Sequence, residues 1–86
     1  MQTEKKHILN RLKRAEGQLR GVQKMLEDDQ ECFDIITQLT AIRSSINATM
    51  GLVIANKITD VVTNPESDPQ KQEEKINEAI KLIIKK

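Results

Sequence analysis

Aromatic side chains are almost missing from this 86-residue sequence: Phe33 stands alone, with no Trp and no Tyr. That argues against a single-strand nucleic-acid binder, which stacks bases on aromatic platforms. There is one cysteine, Cys32, which excludes an internal disulfide framework and a cysteine-cluster zinc site within one chain. Three glycines and two prolines leave little material for loops. No apolar run approaches the ~18 residues of a membrane span. Nothing at the charged N-terminus resembles a signal peptide, so the chain reads as cytoplasmic with a reduced thiol at rest. No acid–base pair, nucleophile–base set or cofactor loop is visible, which argues against an enzyme.

What is present is aliphatic and charged. The length predicts one small domain, residues 1–86, with a core so limited that self-association is expected. The net charge of +1 hides a sorting of signs. Residues 1–24 hold Lys5, Lys6, Arg11, Lys13, Arg14, Arg20 and Lys24 against Glu4 and Glu16, a net of +5. Residues 25–34 hold Glu27, Asp28, Asp29, Glu31 and Asp34 and no base, a net of −5. A basic opening segment suggests a polyanionic partner.

The apolar periodicity predicts three helices, at about 3–28, 30–63 and 69–85, and no strand. In the first, Ile8, Leu12, Ala15, Leu19, Val22 and Leu26 are spaced 4, 3, 4, 3, 4, a heptad seam. Thr3 is the expected N-cap. The second has Ile35, Leu39, Ile42, Ile46, Val53 and Ile54 on one face, widened by Ile36, Ala41, Met50, Ile58 and Val61. At 1.5 Å per residue it is ~45 Å long, too long for a compact monomer to cover, so it calls for a partner chain. Asn64 to Pro69 is the one clear loop, with Asp68 capping and Pro69 opening the third helix.

With the seam at heptad positions a and d, Lys6, Lys13 and Arg20 fall at b, Arg14 at c and Lys24 at f. Gly17 and Gly21 share this outer face, and His7, at c, is expected there too. Each glycine inside a helix costs ~1 kcal/mol relative to alanine, which close approach by a phosphate backbone or another helix would explain. A row of cations at seven-residue spacing tracks phosphates and releases counterions. The bland alternative is a solvated helix surface, but the adjacent acidic segment shows charges sorted rather than mixed.

Cys32 falls in the first turn of the second helix. It reads either as a small hydrophobe or as a reactive thiolate, favoured by the helix N-terminus and opposed by the surrounding carboxylates.

The run Arg11-Leu12-Lys13-Arg14-Ala15-Glu16-Gly17-Gln18-Leu19-Arg20-Gly21-Val22, together with Cys32-Phe33-Asp34-Ile35-Ile36-Thr37-Gln38-Leu39-Thr40-Ala41-Ile42-Arg43-Ser44-Ser45, resembles the CsoR/RcnR family of metal-sensitive transcriptional repressors, nearest its copper-sensing (CsoR) and persulfide-sensing (CstR) branches. The resemblance spans nearly the whole chain. It implies an all-α, three-helix protomer forming antiparallel four-helix-bundle dimers that assemble into a disc-shaped tetramer. It also implies double-stranded operator DNA as partner, no membrane, and release by a small-molecule or ion inducer acting at the cysteine. The operator contacts are expected chiefly at Lys13, Arg14 and Arg20, supported by Lys6, Arg11, Lys24 and Arg43.

In the copper-sensing branch a His follows the cysteine by twenty-five residues and a second Cys by twenty-nine, both on the other protomer's side of the site. Here those positions are Lys57 and Val61. Protonated lysine is a poor ligand and valine is none, so Cu(I) loses its usual donors, and any bound metal would rest on Cys32. The persulfide-sensing branch keeps both cysteines, and Val61 removes the second. The formaldehyde-sensing branch uses an N-terminal Pro where this chain has Gln2. The nickel and cobalt branch uses a His nearer the N-terminus than His7. The reading that results is a repressor relieved by thiol modification at Cys32, with Lys57 as modulator. Two alternatives stand beside it: a metal sensor with altered ligands, and a helical protein-interaction adaptor that binds no specific DNA.

Overall fold

A computed structural model describes the backbone of residues 2–85 and the side chains of residues 4–85. Three helices follow in order: α1 (Gln2–Glu27), α2 (Cys32–Thr63) and α3 (Pro69–Lys85). No strand occurs among the described residues. Both α1 and α3 pack along α2. The helix boundaries fall within two residues of the expected ones. One expectation is corrected: α1 already includes Thr3, so Thr3 is not its N-cap.

The α1–α2 turn closes through backbone bonds. Gln30 N–H reaches the Met25 carbonyl at 3.0 Å and Asp29 N–H reaches Leu26 at 3.1 Å. This crossed pair is a Schellman closure, which places a left-handed residue just past the helix. Asp29 fills that position with φ 54°, where glycine is the usual occupant. Glu31 then caps α2, its carboxylate accepting from the Asp34 N–H at 3.3 Å.

At the other end of α2, Asp68 caps α3 by accepting from the Gln70 N–H at 3.0 Å, with Pro69 in the first helical position. Gln72 clamps this corner: its Nε2 donates to the Val61 carbonyl at 3.1 Å and its Oε1 accepts from the Glu66 N–H at 2.9 Å. Lys75 Nζ meets Glu66 Oε1 at 2.9 Å, and that contact raises the lysine above its ordinary pKa of 10.5.

The core is thin. Val22, Ile35 and Ile42 form its centre with Met25 packed against them, and Ala15, Val61 and Ala79 complete the buried apolar set. Thr49 continues the Ile35–Ile42 spacing by another seven residues. It is buried with its hydroxyl satisfied, donating to the Ser45 carbonyl at 3.0 Å. The chain measures 58 × 26 × 13 Å, with a radius of gyration of 17.7 Å. A compact domain of this length would have ~12 Å. The molecule is a flat slab, and a slab has two faces to cover.

Candidate nucleic-acid interface and sensor thiol

Only part of the predicted α1 seam packs within the chain. The d positions Ala15 and Val22 are buried and Ile8 is half-buried, whereas Leu12, Leu19 and Leu26 at a are exposed. The reason is geometric. α2 approaches α1 from the side carrying Met25, Arg11 and His7, which leaves the a side bare. His7 and Arg11 therefore line a notch with Glu4, Ile8, Leu52 and Asn56 between the two helices. His7 is exposed, at the same heptad position as Arg14, and also borders this notch.

The outer face of α1 is intact. Lys6, Lys13, Arg14, Arg20 and Lys24 are all exposed. Arg20 reaches Glu16 at 3.8 Å and Lys24 reaches Asp28 at 3.4 Å, both one helical turn apart and well solvated. Exposed pairs at this spacing contribute only about 0.3–0.5 kcal/mol and yield readily to a phosphate. Among the described residues, Lys6, Lys13 and Arg14 hold no ion pair.

The two glycines of this face are not required by the chain itself. A Cβ on Gly21 would meet nothing within 4 Å, and one on Gly17 would meet only the Arg20 side chain at 3.8 Å.

Arg43 is exposed too, on α2. It lines a notch on α2 with Ile36, Leu39 and Thr40. Six of the seven predicted cations thus lie on α1, with Arg11 bordering the notch against α2, and Arg43 lies on α2.

Cys32 is the first residue of α2, a free and exposed thiol. Lys57 is half-buried and shares a trough with Ile8, Val53, Asn56 and Asp60. Val61 is 3 % exposed, sealed under α3. Cys32 and Lys57 are twenty-five residues apart on one continuous helix, a rise of about 37 Å. They cannot meet in one protomer. Nor do the residues at these positions fit a soft-metal centre: an ammonium and a buried isopropyl group offer no donor pair. Among the described residues no group of three His, Cys, Asp or Glu side chains is placed to hold a metal. No described helix is long and apolar enough to cross a membrane.

Glu31 as the cap of α2, buried Thr49 and the Gln72 clamp escaped the sequence reading. Thr49 had a signal, its seven-residue spacing from Ile42. The glutamine had none, because its partners are backbone groups brought close only by the fold.

Comparison with known proteins fits this geometry. Over 42 residues the chain is 52% identical to the copper-sensing transcriptional repressor CsoR of Bacillus subtilis, covering 49% of this chain and 42% of that protein. It is 40% identical over 45 residues to the copper-sensing repressor RicR of Mycobacterium tuberculosis, covering 52% and 47% of the two chains. The match to CsoR of Mycobacterium ulcerans is 41% over 54 residues, covering 63% and 46%. The aligned stretch thus spans less than half the length of each of these relatives.

Among solved structures, a variant of the formaldehyde-responsive regulator FrmR from Salmonella enterica serovar Typhimurium superposes with a TM-score of 0.83 at 26% identity, over 96% of this chain and 93% of that one. The nickel-responsive transcriptional regulator InrS shares the fold, with a TM-score of 0.77 at 24% identity over 88% of each chain. The sequence model of the metal-sensitive transcriptional repressors matches residues 4–85, and on that match the chain belongs to this family of transcriptional regulators.

Proposed function

We propose that the protein is a transcriptional repressor that holds double-stranded operator DNA with the outer face of α1 and releases it when an inducer acts at Cys32. The observation that carries the DNA half is the solvated row of cations on α1 beside two glycines that the protomer does not use. Lys13, Arg14 and Arg20 are the principal contacts, supported by Lys6, Arg11, Lys24 and, on α2, Arg43. Their work is phosphate binding, which positions the protein without reading bases. The flatness of the chain and its bare apolar side support a homo-oligomer, a dimer of dimers on the family pattern.

The inducer half rests on a thiol that is exposed and unbonded at a helix start. Persulfidation, a mixed disulfide with a small thiol, or oxidation are the modifications open to it. In an antiparallel pair, Lys57 of the second copy comes to the Cys32 end and supports the thiolate.

The DNA assignment is tested with a duplex enriched from a random-sequence pool and titrated at several salt concentrations. Removing both cations in Arg14→Ala with Arg20→Ala should flatten the dependence of log K on log salt by about 2, near 0.9 per phosphate contact. An unchanged slope removes these two residues from the interface. The inducer assignment is tested by intact mass spectrometry after exposure to Cu(I), persulfide, aldehyde and peroxide, read alongside DNA release. A Cys32 adduct that coincides with release supports thiol sensing. Release by Cu(I) bound noncovalently replaces it with metal sensing.

A further inference from the structure

The basic face of α1 runs into a notch against α2. The notch measures about 220 Å³, several times the ~30 Å³ share of one water. It therefore admits a group larger than solvent. Ile8 and Leu52 are its apolar members, and Glu4, His7, Arg11 and Asn56 are its polar ones. Arg11 stands three residues before Arg14 and four after His7. Those are the spacings of neighbours on a helix surface, so the notch is continuous with the cation row.

Its donors are uncommitted. Arg11 makes no ion pair among the described residues. The side-chain amide of Asn56 is half-buried and has no hydrogen-bond partner among them. Asn56 interrupts the run Leu52-Val53-Ile54-Ala55 within α2, although asparagine is a poor helix former. Polar groups drawn out of water are normally bonded, and the protomer offers this amide nothing.

The lining selects the ligand by its chemistry. A guanidinium, an imidazole and an amide suit an oxygen-rich anion, and arginine takes phosphate oxygens two at a time. The apolar members ask for more than a bare ion. A sugar–phosphate unit of a duplex carries both parts, a carbon-rich edge and a charged head.

We propose that this notch seats one sugar–phosphate unit of the bound duplex, with the sugar on Ile8 and Leu52 and the phosphate on Arg11, His7 and Asn56. Glu4, the one acid of the lining, keeps the phosphate toward the Arg11 end. α2 thereby holds DNA through an uncharged side chain, a contact invisible to a count of charges. This rests on the DNA half of the proposed function and adds a seat between two helices to the open row on α1.

The test uses the whole chain and the enriched duplex. Asn56→Asp keeps the side chain's shape and sets a negative charge beside the phosphate. It should weaken binding at least ~100-fold, since like charges brought together cost several kcal/mol. Asn56→Leu removes only the hydrogen bond. It should weaken binding about tenfold and leave the slope of log K against log salt unchanged, because no charge is lost. Arg11→Gln should lower that slope by about 0.9. Duplexes with one phosphate at a time replaced by uncharged methylphosphonate then locate the seat. One position should matter to the wild type and cease to matter in Arg11→Gln with Asn56→Leu. If every position keeps its penalty in that double variant, or if Asn56→Asp binds as the wild type does, the notch holds no phosphate. Weaker self-association of Asn56→Asp in sedimentation would make the notch a contact between copies and equally overturn the proposal. Arg14→Ala with Arg20→Ala separates the two readings. A flattened slope there beside unaffected Asn56 variants removes the seat and keeps the row, whereas an unchanged slope removes the row itself.

Discussion

The two ends of α2 are finished differently. At the C-terminal end Val61 is 3 % exposed beneath α3, and Gln72 ties its carbonyl to the following loop. At the N-terminal end Cys32 is open and Phe33 is 72% exposed, with Ile36 bare beside them. One end is complete within the protomer; the other is left for something else. An antiparallel pairing resolves the asymmetry, because it lays the open end of each copy along the closed end of the other. In the dimer proposed above Cys32 would sit where two chains meet, so a change at its sulfur would act on the pair.

The largest predicted effect tests whether the bare apolar side of the chain is an interface. Leu39→Asp with Ile46→Asp places carboxylates on positions that are already solvated in the single chain. The helical content should survive, while association weakens at least ~100-fold, because an unpaired ion buried between chains costs several kcal/mol. Ile42→Asp is the contrast: Ile42 is 3 % exposed, so this change should unfold the chain. Circular dichroism and sedimentation together separate the two results.

Next in size is the contrast between the ends themselves. Val61→Ala removes buried methyl groups and should cost about 1.5–2 kcal/mol in denaturant unfolding. Phe33→Ala should cost no more than ~0.5 kcal/mol in the dissociated protein, and more once the copies assemble. Equal costs at all concentrations would mean that the open end stays open.

The bare backbone of α1 yields a prediction of ~1 kcal/mol. Gly21→Ala should stabilise the helix by about that amount, since the new Cβ meets nothing in the protomer. The same substitution should weaken DNA binding if a phosphate backbone lies against that face. Stabilisation with unchanged affinity would place the approaching surface elsewhere.

The smallest effect concerns pH at the closed end. Lys75 is raised above 10.5, first by its hydrogen bond to Glu66. The contact therefore contributes fully below 10.5 and is lost as pH rises through the higher folded value. Hydrogen-exchange protection at the start of α3, corrected for the intrinsic rate, should decline above about pH 10.5 in the wild type and stay flat in Lys75→Met.

Much of this was legible in the sequence. The three helices, the Asp68–Pro69 start of α3 and the outer row Lys6, Lys13, Arg20 follow from spacing, because a helix converts sequence period directly into a face. Spacing also located the α1 seam, but it could not divide that seam. Whether Leu12 or Ala15 meets α2 depends on the side from which α2 arrives, and the four-residue acidic turn sets that. Thr3 was read as a cap because its type suits one, although the helix begins before it. Two residues at a spacing of twenty-five, Cys32 and Lys57, are far apart on one helix and cannot meet within a single chain.

Native mass spectrometry of the protein bound to an enriched duplex tests the central claim in one reading. The account predicts complexes holding an even number of copies and no species with one. A duplex carrying a single 9.8 kDa chain, or none at low ionic strength, would contradict it.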